Sequence, residues 1–230
     1  MKRSIKSILM ASVIGLAALG FVATSNATPV GISSYDATNT QAAGFGGWSH
    51  SYTGTITNNF DGTVNETGGA GTLNDGLIGT STGDTHLFLN SDNTIFDLYL
   101  SQSTYVNSIS LYSFFGSNFI PGNITSLNVT INGHTGTLAT TGFGPINANT
   151  GDPVHELITL TGSNLETLLT NQITLWGFVS NGSWAGYSSI SEITVDGANA
   201  PTPTPEPSTM ILLGTGVAAL ALFRKKFKRS

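Results

Sequence analysis

Two apolar segments flanked by basic residues bracket this 230-residue chain, and they leave only about Thr28 to Ala200 to form a folded domain. A domain of that length can bury about 70% of its unfolded surface, so it needs no covalent staples. The chain has no Cys. We therefore predict four regions: a signal peptide (1–27), a single domain (28–200), a linker (201–209) and a hydrophobic helix with a basic tail (210–230).

The eight Lys and Arg residues all lie in the terminal segments, and none occurs between residues 7 and 223. Twelve of the thirteen carboxylates lie between Asp36 and Asp196, so the middle of the chain has a formal charge of 0 − 12 = −12. Such a body repels phosphate, which excludes nucleic acid as a partner. Carboxylates suit hard cations such as Ca²⁺, although the acidity also serves simply to keep an exported protein soluble.

The N-terminus has the three-part layout of a secretory signal. A basic start precedes an apolar stretch from Ile8 to Val22, and small residues occupy the first and third positions of Ser25-Asn26-Ala27. We expect signal peptidase to cut between Ala27 and Thr28. The alternative, an N-terminal membrane anchor, fits less well because the apolar run is short.

The C-terminus combines a Pro/Thr-rich linker with a short apolar segment and a terminal basic cluster. Residues 210–223 are fewer than an ordinary membrane span needs, and the basic cluster favours the cytoplasmic side. The predicted helix would therefore anchor the chain transiently in the inner membrane. A permanent stop-transfer anchor is the alternative.

Pro205-Glu206-Pro207, the apolar segment and the basic cluster together resemble the PEP-CTERM sorting signal of Gram-negative bacteria. The resemblance implies an exosortase-type processing enzyme as partner and cleavage near the Pro-Glu-Pro element. It also implies export across the inner membrane to the cell surface or the extracellular matrix, often beside exopolysaccharide.

The middle of the chain alternates apolar and polar residues in short runs separated by Gly, Asn, Asp, Ser and Pro. Leu127, Val129 and Ile131 share one face of a strand, and Asn132-Gly133 favours a hairpin turn. Only one weakly helical stretch occurs, near 164–169. Similar runs occur at 86–89, 95–100, 106–112, 135–139, 157–161, 173–179 and 190–195. Together these runs predict an all-β antiparallel β-sandwich of jelly-roll type.

The segments from Thr72 to Gly197 resemble the galactose-binding-like jelly roll of discoidin-type and carbohydrate-binding modules. That resemblance implies a structural Ca²⁺ held by Asp75, Thr80 and Glu192. The alternative places Glu192 outward in solvent, because it lies on the face opposite Ile193. Sugar sites of the family often use Arg, and this domain has none.

Two loops carry aromatic residues among Gly and Asn, and the side chains proposed for ligand binding are Trp184, Tyr187 and Phe119. Exposed rings at such positions stack on a sugar face or on another protein. Alternatively the rings fold back and cap the core.

Catalytic motifs do not emerge from the sequence. The chain has no G-x-S-x-G element, and Asp152-x-x-His155-Glu156 and Asp84-x-His86 match no known ligand spacing. The sequence therefore favours a noncatalytic exported protein that binds extracellular polysaccharide. The alternatives are a secreted hydrolase with paired carboxylates and a self-associating structural coat protein.

Overall fold

The computed structural model describes residues 27–114, 123–142, 153–181 and 186–199, together with Leu212 and residues 214–216. The β-rich unit spans Asn26–Ala200. Leu212 and residues 214–216 are helical, and no helix within the described part of the chain is long and apolar enough to cross a membrane. Most of the predicted signal peptide, the linker and the predicted C-terminal helix lies outside the described residues.

The described part of the β-rich unit contains twelve strands and four short 3-10 turns. The turns are Phe45–Gly47, Thr82–Asp84, Asn90–Asp92 and Asn164–Thr167. The strands are β1 Thr28–Val30, β2 Ile32–Gln41, β3 Thr55–Asn58, β4 Thr63–Gly69, β5 His86–Leu89, β6 Ile95–Phe114, β7 Ile124–Ile131, β8 His134–Thr141, β9 Pro153–Thr159, β10 Leu169–Ser180, β11 Tyr187–Ile190 and β12 Glu192–Asn199.

Every strand pair in the described part of the chain is antiparallel. Strand β6 is the centre of the arrangement: its first half pairs with β2 and β10, and its second half pairs with β9 and β12. Strands β5 and β11 form a separate two-stranded sheet. The predicted fold class, an all-β antiparallel β-sandwich of jelly-roll type, is confirmed.

The β7–β8 hairpin shows how the local sequence produces this fold. Ile124, Leu127, Val129 and Ile131 of β7 are fully buried, whereas the residues between them are partly exposed. Asn132 and Gly133 both have positive φ angles, 50° and 78°, as a tight hairpin turn requires. The alternating pattern therefore predicted both the strand and its buried face.

Several predicted strand bounds differ from the structure, and two of the differences change how the chain is divided into strands. The runs at 95–100 and 106–112 belong to the single strand β6, and the run at 190–195 is divided between β11 and β12. Ser191 lies at the division, where both its backbone N–H and its hydroxyl donate to the carbonyl of Tyr112. This break redirects the chain from the small sheet to the large one.

The core is apolar and fills the space between the strands. Three aromatic rings pack edge to face within it, since Phe88 lies 5.4 Å from Phe96 and 4.9 Å from Phe178 between ring centroids. This end of the core adjoins His86, whose ring meets Phe96 at 6.2 Å. The apolar packing therefore extends directly to a titratable side chain.

Candidate functional site

Three carboxylates lie buried in a part of the chain that contains no Lys or Arg. Glu66 and Glu156 have no exposed surface, and Glu192 is 4% exposed. A buried carboxylate is unfavourable unless a proton, a positive group or a set of hydrogen-bond donors compensates for lost hydration. The three sites differ in which of these the fold provides.

Glu66 lies between two histidines. Its Oε1 is 2.6 Å from Nε2 of His50, and its Oε2 is 3.8 Å from Nδ1 of His86. The two imidazole rings stack with their centroids 3.7 Å apart. The side chains of the three residues are almost completely buried, and one ligand atom from each lies within 4.8 Å of the others. We call His50, Glu66 and His86 the His–Glu–His cluster.

Two tyrosines lie beside the His–Glu–His cluster. The hydroxyl of Tyr35 is 2.9 Å from Nε2 of His86, and the hydroxyl of Tyr52 donates to the carbonyl of Tyr35 at 2.7 Å. Burial is the main cause that raises the pKa of Tyr35, and it raises the pKa of Tyr52 to about 12. Burial, followed by the nearby His50, holds the pKa of His86 well below its usual range. His86 is therefore a neutral imidazole and both tyrosines are neutral phenols.

Backbone hydrogen bonds fix the segment that carries His50. The N–H of Thr85 donates to the carbonyl of Ser49, which ties this segment to the start of β5. On the other side of His50, the N–H of Thr72 donates to the carbonyl of Ser51. A Cβ atom at Gly71 would lie 2.0 Å from that same carbonyl oxygen, so only glycine allows this approach.

Glu192 and Asp75, two of the predicted calcium ligands, do come together. The N–H of Gly76 donates to Oε2 of Glu192 at 3.2 Å, and the two carboxyl groups interact directly. Burial raises the pKa of Glu192 to about 8, and the neighbouring Asp75 adds to the effect. Within the described part of the chain, no hydrogen bond joins the exposed Thr80 to either carboxylate.

The alternative that placed Glu192 outward in solvent is wrong. Strand alternation would expose Glu192 in an isolated strand, but in the protein the segment from Leu73 to Gly76 covers the face of β12 that carries Glu192. The carbonyl of Leu73 accepts from the N–H of Ile193, which holds the segment against the start of β12. A cleft of about 270 Å³ borders Glu192 and is lined also by Ile32, Asn74 and Thr194.

Among the described residues, Glu156 has neither a histidine nor a second carboxylate in hydrogen-bond contact. Its Oε1 accepts from the N–H of Ile124 at 2.7 Å, and its Oε2 has no hydrogen-bond partner among the described residues. Burial raises the pKa of Glu156 to about 8. The neighbouring His155 instead stacks on Tyr112 with centroids 4.6 Å apart. Asp152 of the same motif lies outside the described residues.

Of the three aromatic residues proposed for ligand binding, only Tyr187 is described, since Trp184 and Phe119 lie outside the described residues. Tyr187 is half-buried, and its ring lies 6.3 Å from that of Phe45 at an angle of 35°. Phe45 is 46% exposed. Phe45 and Tyr187, here called the aromatic pair, bring together the 3-10 turn Phe45–Gly47 and the start of β11, which are distant in sequence.

Sequence reasoning missed the His–Glu–His cluster because its members are separated along the chain. Asp84-x-His86 suggested Asp84 as a partner of His86, but Asp84 is exposed and its Oδ2 accepts from the hydroxyl of Ser81. The partners that contact His86 come from β2, from β4 and from the segment before Tyr52. No spacing rule connects these positions.

Comparison with known proteins gives a match at the C-terminus. The PEP-CTERM protein-sorting motif matches residues 203–226, which include Pro205, Glu206 and Pro207. The predicted resemblance to this sorting signal is confirmed. Comparison with curated proteins finds no significant match to the sequence.

Several solved structures resemble the chain in their general arrangement of strands. One is the family 32 carbohydrate-binding module of NanJ from C. perfringens in complex with galactose; identity is 18%, 54% of this chain and 82% of that one are covered, and the TM-score is 0.36. Another is truncated AlyQ with CBM32 and alginate lyase domains, with 13% identity, coverage of 78% and 36%, and a TM-score of 0.42. A third is a GH31 CBM32-2 bound to GalNAc, with 14% identity, coverage of 75% and 98%, and a TM-score of 0.36. These neighbours are of the class that the predicted galactose-binding-like resemblance names.

Proposed function

We propose that the protein is an exported, noncatalytic protein of the cell surface or extracellular matrix that binds polysaccharide. The sorting motif at residues 203–226 is the observation that carries this proposal, because a sorting signal directs a chain to an exosortase-type enzyme. The Lys- and Arg-free acidic middle supports a role outside the cell and away from nucleic acid.

The processing route follows from the two ends of the chain. Signal peptidase cuts between Ala27 and Thr28, residues 210–230 hold the chain transiently in the inner membrane, and the exosortase-type enzyme cuts near Pro205-Glu206-Pro207. The intact mass of protein recovered from cells and medium of the native host tests this route. Loss of both terminal segments is the expected result, and a mature protein that retains residues 208–230 would contradict it.

The aromatic pair is the proposed glycan contact. Phe45 is 46% exposed and Tyr187 is half-buried, so the pair presents ring surface to solvent. A sugar ring stacks on an aromatic face while polar groups nearby take up its hydroxyls. Trp184 and Phe119 are also proposed as ligand-binding residues.

A binding assay with the extracellular polysaccharide of the native host tests the glycan contact. We expect Tyr187→Ala and Phe45→Ala each to weaken binding about tenfold, equivalent to about 1.4 kcal/mol, a typical value for a lost stacking contact. Trp184→Ala is expected to act in the same direction. Phe60→Ala is the matched control, because Phe60 is fully exposed and lies in the turn between β3 and β4. Unchanged binding in Tyr187→Ala and Phe45→Ala would remove the proposed contact, and turnover of the polysaccharide would favour the hydrolase alternative.

Asp75 and Glu192 are the proposed ligands of a structural Ca²⁺. Their carboxylates interact, Glu192 is buried, and the β-rich unit offers no Lys or Arg to offset their charge. Such an oxygen donor set suits a hard cation. Thr80, which lies in the neighbouring loop, is the third proposed ligand.

A further inference from the structure

We propose that the His–Glu–His cluster binds a zinc-class divalent transition-metal ion through a ring nitrogen of His50, a carboxylate oxygen of Glu66 and Nδ1 of His86. This site is distinct in its residues from the proposed calcium ligands and from the aromatic pair. It does not rest on the glycan-binding function.

The charge balance around Glu66 favours a bound cation. Its side chain is completely buried, and no Lys or Arg occurs between residues 7 and 223. Among the described residues, the groups in contact with Glu66 that can offset its charge are His50 and His86. A divalent ion placed among the three side chains compensates the carboxylate and uses both imidazoles as ligands.

Two buried atoms of the His–Glu–His cluster have no hydrogen bond among the described residues. Oε2 of Glu66 and Nδ1 of His86 face each other at 3.8 Å, which is too long for a hydrogen bond, and neither has another partner among the described residues. If Nδ1 carries the proton of His86, that proton has no acceptor. If Nε2 carries it, the lone pair of Nδ1 faces the carboxylate. Each arrangement is unfavourable without a cation between the two atoms.

The separation of these atoms suits one bridging ion. Zinc binds imidazole nitrogen and carboxylate oxygen at about 2.0–2.2 Å, so one ion spans two ligand atoms between about 3 and 4 Å apart. The ligand atoms of the three residues lie within 4.8 Å of one another, close to that range. Two imidazoles and one carboxylate favour zinc-class ions, whereas calcium requires a shell of oxygen ligands.

Hydrogen bonds around the proposed ligands fix the orientation of His86. The hydroxyl of Tyr35 contacts Nε2 of His86 at 2.9 Å, and it accepts the Nε2 proton when Nδ1 acts as a ligand. The second nitrogen of a metal-binding histidine is usually held in this way, which fixes its tautomer. Tyr52 holds Tyr35 through the bond to the Tyr35 carbonyl. The fold therefore orients His86 with its free nitrogen toward Glu66.

Zinc chloride is the probe for the test, and the sample is the purified full chain after treatment with EDTA. We expect native mass spectrometry to detect one zinc ion per chain. At a hundredfold excess of zinc over Kd, we expect the Tm to rise by about 5 °C or more. Magnesium chloride at the same concentration should give no adduct at this site. Cobalt(II) in place of zinc should produce the visible absorption of a low-symmetry nitrogen and oxygen site.

Four variants locate the ion. Glu66→Gln and His86→Asn should each weaken zinc binding at least a hundredfold, whereas Tyr35→Phe should weaken it about 10- to 100-fold because it removes only the shell contact. His134→Ala is the control, because His134 is exposed in β8. Circular dichroism reports whether each variant is folded.

Three results would overturn the proposal. They are the absence of a zinc adduct on the wild-type chain, equal zinc affinity in wild type and a folded Glu66→Gln variant, and loss of binding in His134→Ala. The first result needs no variant, so the test holds even if Glu66→Gln or His86→Asn fails to fold.

Discussion

Glu66 and Glu156 are both fully buried in the same β-sandwich, yet the fold compensates them in opposite ways. Glu66 lies 2.6 Å from Nε2 of His50 and 3.8 Å from Nδ1 of His86, and these imidazoles are the other proposed ligands of a metal ion. Glu156 accepts one backbone N–H, and burial raises its pKa to about 8, so it stays protonated at neutral pH. In a domain without Lys or Arg, a buried carboxylate therefore either acquires histidine or gives up its charge.

Glu192 lies between these two cases. Like Glu156 it has a pKa raised to about 8 by burial, but a second carboxylate, Asp75, adds to the shift. A pair of neighbouring carboxyl groups can share a proton or bind a hard cation. The identity of the neighbour thus decides the chemistry: imidazole at Glu66, a peptide N–H at Glu156 and a carboxylate at Glu192.

The largest expected effect is at Glu66. Glu66→Gln removes the negative charge and leaves buried imidazoles without their partner, so we expect the free energy of unfolding to fall by about 3 kcal/mol or more. Urea denaturation in the presence of EDTA measures this value without a contribution from metal ions. Glu166→Gln, a half-buried surface residue, is the matched control and should change stability by less than about 1 kcal/mol. Equal stability of Glu66→Gln and wild type would mean that the histidine contacts contribute nothing.

A smaller effect of opposite sign is expected at Glu156. A carboxyl group whose pKa rises on folding contributes stability that is complete below its unfolded pKa of 4.5 and is lost as the pH approaches about 8. Glu156→Gln stays neutral and still accepts the N–H of Ile124, so it should remove this loss. We expect Glu156→Gln to be more stable than wild type by about 2–4 kcal/mol at the alkaline end of that range and nearly equal at the acid end.

Denaturation of wild type and Glu156→Gln across the same pH range measures the difference. Glu166→Gln again serves as the control, and its pH profile should parallel that of wild type. A constant difference between Glu156→Gln and wild type at every pH would show that Glu156 does not titrate between 4.5 and about 8.

The smallest effect concerns the two carboxylates at Asp75 and Glu192. At calcium concentrations ten times Kd, binding should stabilise the wild-type protein by about 1.4 kcal/mol. Glu192→Gln should lose most of this gain because it removes the buried charged ligand. Asp84→Asn changes an exposed loop carboxylate and should retain the gain. Equal calcium effects in Glu192→Gln and wild type would contradict the proposed ligands.

The sequence predicted most of the fold because the signals are local. Strand β5 has the predicted bounds, β7 buries the predicted face, and Asn132-Gly133 forms the predicted turn. The sequence also identified Asp75 and Glu192 as neighbours through a family resemblance. It could not show that Glu192 is buried, since the burial depends on a segment more than a hundred residues earlier in the chain.

The sequence by itself determined the predicted processing signals at the two ends of the chain, the strand pattern and the absence of Lys and Arg from the domain. Each of these is a property of residues that are close together in the chain. Only the tertiary structure decided that Tyr35, His50, Glu66 and His86 meet, because long-range pairing of strands and loops brings them together. Only the tertiary structure decided which carboxylates are buried, and burial in a low-dielectric core is what turns an ordinary Glu into a protonated acid or a ligand.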